Sequence, residues 1–289
     1  MRWRDTLVIP AVRREWVANV AALSVALVLL AAEAVFAVTL GSYGVYALAL
    51  VVGWYALRAL RDLNHLPLMA CDELRQMEVQ NREDHPELWD AVEKTAAKMG
   101  MPMPKIWIFG FVDCFAASWN CFREKAIAID VMVLARMDSE HIEALVGHEL
   151  AHIKNRDQPV INVIQNASLA FGYGGLALYA VSAIRFVLTG QIGFAVAAVI
   201  CGALAVAAFK VMTRVFRHIV WQQEYAADAL GAHVTGEPLV AARVLMLLEL
   251  QTRIALDQLR AEGFAVVDDP RLSDHPPTSD RVYRLLQPR

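Results

Sequence analysis

His148-Glu149-Leu150-Ala151-His152 places two imidazoles four residues apart. On an α-helix that spacing is about one turn, a rise of about 6 Å, so both rings leave the same face and reach a single metal ion. Neutral imidazole nitrogens are zinc ligands, and a carboxylate beside an open coordination position can take a proton from water. Glu149 supplies that carboxylate, and the chemistry would be hydrolysis. The bland alternative is a helix with two exposed histidines and an incidental acid, among the eight histidines of a 289-residue chain.

Two histidines leave a catalytic zinc short of its usual three protein ligands and one water. The third candidate is Glu224, in Glu224-Tyr225-Ala226-Ala227-Asp228. Glu224 and Asp228 share a helix face at i and i+4, so the first can bind metal while the second accepts a hydrogen bond from a ligand imidazole and fixes its tautomer. Taken alone, two acids on a helix are a solvated face. A structural zinc is usually closed by four protein ligands, and the sequence offers no evident fourth. The expectation is one zinc ion per chain at a hydrolytic site, with a catalytically silent zinc-binding membrane scaffold as the rival.

The elements that must position these residues can be read outward from the motif. Asp138 or Ser139 can cap the helix that carries the histidines, Glu140 suits its first turn, and Ile142, Leu145, Val146, Leu150 and Ile153 mark its buried face. It ends around Asn155 to Pro159. His141, Lys154, Asn155, Arg156 and Asp157 flank the motif with polar and charged groups, which places this helix outside hydrocarbon. Upstream, the spacing predicts a helix from Pro86 to Met99, capped by Asp84 or His85 and stopped by Gly100. Lys105 to Val112 and Ala126 to Val131 read as strands with a turn over Asn120 to Lys125. Downstream, helices are expected through Arg214 to about Gly231, from Pro238 to about Glu262, and from Ser279 to Gln287, with a Pro- and Asp-rich loop over Asp268 to Ser279.

The composition adds a second solvent. With 57% hydrophobic residues and a mean hydropathy of +0.39, the chain is too apolar for most soluble enzymes. The excess lies in four runs: Val17 to Leu40, Tyr43 to Leu60, Val160 to Leu188 and Ile192 to Phe209. Each approaches or exceeds the roughly 20 residues a helix needs to cross a bilayer, and together they read as two membrane hairpins. A cleaved signal peptide is the competing account of the first run, but a second run follows almost at once, without a convincing cleavage site. Arg2, Arg4, Arg13, Arg14, Arg58, Arg61, Lys154, Arg156, Lys210, Arg214 and Arg217 flank the inner ends, while Gly41-Ser42 and Thr189-Gly190-Gln191 carry no Lys or Arg. The positive-inside rule therefore places both termini and the motif helix on the cytoplasmic side. Asn162, Gln165 and Asn166 read as interhelical hydrogen-bonding groups, and Glu33 as a carboxylate reaching the headgroups. A formal net charge of -3 gives no reason to expect nucleic acid as a partner. Cys71, Cys114, Cys121 and Cys201 form no Cys-x-x-Cys pair and read as plain thiols.

The order His148-Glu149-x-x-His152, membrane hairpin, Glu224-x-x-x-Asp228, then His275-Pro276-Pro277 and Arg281, resembles the HtpX-type membrane zinc metalloproteases, relatives of the CaaX prenyl endopeptidases. The resemblance covers nearly the whole chain. It implies a mostly helical α+β, polytopic membrane protein with four transmembrane helices in two hairpins and a gluzincin-like cytoplasmic catalytic domain with a small β-sheet. The corresponding parts are 1–62 (tail and first hairpin), 63–158 (catalytic, with the motif helix), 159–212 (second hairpin) and 213–289 (catalytic, with the third ligand). His148, His152 and Glu224 would be the zinc ligands and Glu149 the general base. His275 would approach the site and stabilise an oxyanion, while Arg281 would pair with Asp228 or support its own loop. The family's Asn-Ala-Phe-Ala segment stands here as Asp113-Cys114-Phe115-Ala116, so Phe115 and Ala116 match and the first two positions depart. Ala126, Ile127 and Ala128 lie in the candidate edge strand for adding an extended peptide, with a buried structural strand as the equal alternative. The implied activity is endoproteolysis of misfolded or damaged membrane proteins in a bacterial inner membrane, a quality-control and stress-response task. A prenyl-protein protease is the alternative among the relatives.

Overall fold

The structure, a computed structural model, describes residues 8–64, 81–109, 116–120, 124–263 and 275–287. In chain order the elements are α1 (Val8–Thr39), α2 (Ser42–Asn64), α3 (Pro86–Met99), β1 (Lys105–Phe109), β2 (Ala116–Asn120), β3 (Lys125–Asp130) and α4 (Val131–Leu134). They continue with α5 (Ser139–Asn155), α6 (Asp157–Thr189), α7 (Ile192–Thr235), α8 (Pro238–Ala261) and α9 (Thr278–Leu286). The protein is mostly helical with one small mixed sheet. It divides into two compact units, one of Trp16–Leu63 and Pro159–Ile219, the other of Met1–Glu15, Asn64–Gln158 and Val220–Arg289.

The first unit is formed by most of α1 and α2, most of α6 and the first part of α7; Ser42–Leu63, Asp157–Thr189 and Ile192–Thr235 are long and apolar enough to cross a membrane, and Leu27–Thr39 is a shorter apolar stretch within α1. Leu50, Val187 and Val199 stand exposed on them, as a lipid-facing surface requires. Polar groups hold the helices to one another. Asn162 Nδ2 donates to the Asp62 carbonyl at 3.3 Å and Asn166 Nδ2 to the Asp62 carboxylate at 3.4 Å, linking α6 to α2. Arg185 Nη1 donates to the Leu40 carbonyl at 2.7 Å, satisfying a group that the end of α1 leaves open. Glu33 departs from the headgroup reading. Its carboxylate lies against α6 at Gly174 and Gly175, where the missing side chains leave room for it.

The second unit is built on α5. Asp138 Oδ1 accepts from the His141 backbone N–H at 3.0 Å to cap its start, and Arg156, at φ 63°, ends it in the left-handed conformation. Helix α3 begins with Pro86 and ends at Gly100, φ 64°. It packs on α5, with Glu143 of α5 gripped by Lys94 Nζ at 2.6 Å and Lys98 Nζ at 2.8 Å. Val92, Ile127, Leu145, Leu150 and Val244 share one fully buried core, so α3, β3 and α8 close around the apolar face of the motif helix α5.

The sheet corrects one expectation. Its order is β1-β3-β2, with β1 parallel and β2 antiparallel to β3. Both sides of β3 are therefore paired and Ala126, Ile127 and Ala128 are wholly buried, which leaves no edge there for a peptide. They are structural, and the two outer strands of the described sheet are β1 and β2, of which β2 reaches the cleft at Ala116. That strand was not expected, because Ala-Ala-Ser-Trp-Asn has neither β-branched residues nor apolar alternation. Tertiary contacts hold it in place: Asn120 Nδ2 donates to the Ile153 carbonyl near the end of α5 at 2.8 Å, and Trp119 packs on Trp107.

Candidate metal centre

Helical geometry brings His148 and His152 together, with their Nε2 atoms 3.1 Å apart. Glu224, from the part of α7 in the same unit, completes the group. Its Oε2 is 3.6 Å from His148 Nε2 and its Oε1 is 3.5 Å from His152 Nε2. Atoms about 2.1 Å from a tetrahedral zinc stand about 3.4 Å from one another. The three separations, two of which end on different Glu224 oxygens, are close to that spacing, one ligand atom from each residue lies within 4.8 Å of the others, and two imidazoles with one carboxylate are a donor set that zinc takes. The residues fit a zinc ion.

The remaining ring nitrogens are also placed. His148 Nδ1 lies 3.0 Å from Asp228 Oδ1, and His152 Nδ1 lies 2.6 Å from Asp157 Oδ2. The Asp157 carboxylate holds the proton on His152 Nδ1 and leaves that ring's Nε2 lone pair facing the centre, while Asp228 stands close behind the His148 ring. Asp157 was missed by sequence reasoning, which treated it only as flanking charge. The signal was the short step from His152 across a helix end. With Arg156 in the left-handed conformation, the chain turns and the first residue of α6 comes back onto the imidazole.

The close approach of α5 and α7 rests on two glycines. A Cβ built on Gly231 would stand 2.9 Å from both the Gly147 carbonyl carbon and the His148 amide nitrogen. Glu224 and Asp228 precede Gly231 by about two turns and one turn on the same helix, so this contact sets their reach toward His148.

Arg281 enters from α9. Its Nε and Nη2 donate to the two Asp228 oxygens at 2.8 and 2.7 Å, and its Nη1 lies 3.0 Å from Glu224 Oε2. Of the two expectations for Arg281, pairing with Asp228 is what the structure shows. Burial opposes its charge, but the Asp228 and Glu224 carboxylates outweigh this and raise its pKa. Burial likewise opposes protonation of His152, yet the hydrogen bond to Asp157 and the nearby Glu224, Asp157 and Glu149 carboxylates push it up to about 10. His275 Nδ1 is 3.1 Å from Glu224 Oε1, and that carboxylate raises its pKa. Glu149 is buried at 6% exposure and lines the same cleft as His148, Glu224 and His275. Ala116 of β2 also lines it, whereas Phe115 lies outside the described residues.

The model of peptidase family M48 matches residues 82–289. This chain belongs to peptidase family M48. Similar curated proteins include a "Protease HtpX homolog" of Gemmatimonas aurantiaca, 28% identical over 235 residues that cover 72% of this chain and 77% of the relative. Another of that description, from Acidiphilium cryptum, is 30% identical over 220 residues, 71% of this chain and 75% of the relative. A third, from Streptococcus mutans, is 26% identical over 268 residues, 84% and 86% of the two chains. No solved structure matches the chain. The resemblance to the HtpX-type metalloproteases therefore holds, and with it a protease of metal-dependent class and a membrane protein.

Proposed function

We propose that the protein is a zinc-dependent endopeptidase of the inner membrane that hydrolyses misfolded or damaged membrane proteins from the cytoplasmic side. The observation that carries this reading is the convergence of His148 Nε2, His152 Nε2 and the Glu224 carboxylate, with Asp228 and Asp157 behind the two rings. His148, His152 and Glu224 would hold the zinc, which when bound polarises the scissile carbonyl and acidifies water at its open position.

This chain's own groups do the rest. Glu149 takes a proton from the attacking water as its oxygen adds to the carbonyl carbon, then delivers that proton to the leaving amine nitrogen as the C–N bond breaks. His275, beside Glu224, is placed to donate to the developing oxyanion. The edge of β2, beginning at Ala116 in the cleft, receives the extended substrate backbone.

Four spans are proposed from the apolar runs, with α1 as the first. Both termini and the catalytic unit then face the cytoplasm, because the basic residues cluster at those ends and are missing from the two outer turns. The test uses full-length protein in detergent, loaded with zinc and given an unfolded membrane-protein fragment. Cleavage should require zinc and disappear in Glu149→Gln. Protease accessibility of tagged termini in vesicles checks the orientation. Zinc-independent cleavage, or full activity in Glu149→Gln, would sink the assignment.

A further inference from the structure

The cleft that holds the catalytic residues does not end at them. It has a volume of about 890 Å³ and continues along α8. Beside the charged groups around Glu149 its lining includes the apolar Leu145 of α5 and Val244, Leu245 and Leu248 of α8. Farther on it passes Thr252 and Leu256, and its far rim carries Glu249 with Arg253 and Asp257 with Arg260. Those charges are joined as ion pairs within α8, so neither sign dominates there.

Length decides what such a groove can hold. The lining runs from Ala241 to Arg260, which at the helical rise is about 28 Å. An extended chain advances about 3.3 Å per residue, so about eight residues would occupy it. A site for one side chain or a dipeptide has no use for that reach. In a folded protein an extended stretch of that length is a strand held by its own sheet and core, whereas a locally unfolded segment is free to lie in the groove.

We propose that α8 is the specificity wall of this enzyme: the groove takes an extended segment of about eight residues, with an apolar side chain next to the scissile bond against Leu245 and Leu248. This rests on the endopeptidase reading above. It also gives a physical reason for selecting unfolded substrates, because binding energy from residues distant from the scissile bond becomes available only to a segment that can lie along the groove.

The test uses zinc-loaded full-length protein in detergent and quenched-fluorescence peptides of about four to about ten residues, with an apolar or an acidic residue beside the cleaved bond. The kcat/KM should rise about tenfold or more up to about eight residues and then level off, and apolar peptides should exceed acidic ones. Thr252→Trp, which fills the middle of the groove, should cost the longest peptides about tenfold and the shortest ones less. Leu248→Lys should shift the preference toward an acidic residue. Leu250, exposed and absent from the cleft lining, supplies the control Leu250→Trp, which should match the wild type.

Binding of the same peptides to Glu149→Gln, read by fluorescence anisotropy, examines the groove without the chemistry. Length-independent binding, equal losses for every peptide in Thr252→Trp, or indifference to the residue beside the cleaved bond would overturn the proposal. Length-dependent binding with no cleavage by the wild type would overturn the peptidase reading and leave the groove standing.

Discussion

Gly231 and Gly147 bring α7 and α5 into backbone contact beside His148, a candidate metal ligand: a Cβ on Gly231 would be 2.9 Å from the Gly147 carbonyl carbon and the His148 nitrogen. Backbone cannot swing aside as a side-chain end can, so the helices must separate to admit even a methyl group. Gly231→Ala is expected to destabilise the protein by about 1–3 kcal/mol and to lower its zinc occupancy, because Glu224 and Asp228 move with α7. Thermal unfolding and metal analysis check both. Gly53→Ala is the control, since nothing lies within 4 Å of a Cβ there. Equal stability and zinc content in Gly231→Ala and wild type would remove the glycine contact from the account.

Arg281 is buried and serves two acids at once, Asp228 through both oxygens and Glu224 through Oε2. Truncating one partner of a buried ionic cluster costs about 3–5 kcal/mol, because the charges left behind are unpaired. Arg281→Met should unfold at a markedly lower temperature, and Arg281→Lys should recover only part of the loss, since an ammonium lacks the planar fork that spans both carboxylates. If Arg281→Met matched wild type in thermal unfolding with zinc removed, the guanidinium would have no role in holding α9 to the site.

The site was more legible than its supports. His148 and His152 follow from one turn of helix, and Asp228 follows from Glu224 by the same spacing, so local periodicity was enough. Asp138 was readable as a cap because capping is also local. By contrast, the interior position of β3 depends on β2, whose Ala-Ala-Ser-Trp-Asn sequence becomes a strand only through partners such as Asn120 to Ile153. Gly147 and Gly231 carry no signal until two helices, far apart in sequence, are known to cross there. Asp157 sits only five residues beyond His152, yet helical spacing alone would not bring it to the ring. The turn at Arg156 does so.

Asp157→Asn keeps the size of the side chain at His152 Nδ1 while removing the charge that fixes the ring's proton and orientation. Losing such a support typically lowers metal affinity by about 10–100-fold. Competition with a chromophoric chelator should show that drop with little change in the folding of the metal-loaded protein. Unaltered affinity would mean that the 2.6 Å contact does not influence the ligand.

Glu143 gives a prediction about pH outside the metal site. Partial burial opposes its ionisation, but Lys94 and Lys98 outweigh that and hold its pKa below the ordinary value of 4.5. A carboxyl lowered in the folded state stabilises above its unfolded value, and that contribution is lost as pH falls through the folded value. The unfolding temperature of wild type should therefore exceed that of Glu143→Gln by a small, constant margin near neutral pH. The margin should shrink below about pH 4.5. The pair is partly exposed, so salt should also reduce it. A margin that widened on acidification would reverse the assignment.

Glu149 separates binding from chemistry. It lies between the two histidines on the motif helix but is not among the three residues whose ligand atoms converge. Glu149→Gln keeps the shape of the side chain and removes its basicity, so zinc stoichiometry should stay at that of the wild type. Positioned proton transfer contributes about 10²–10⁴-fold, and peptide hydrolysis should fall by at least that amount. His148→Ala, by comparison, should lose zinc and activity together, and added zinc should not restore either at ordinary concentrations. If instead Glu149→Gln lost zinc as His148→Ala does, the glutamate would belong to the metal's support, and another group would have to move the proton.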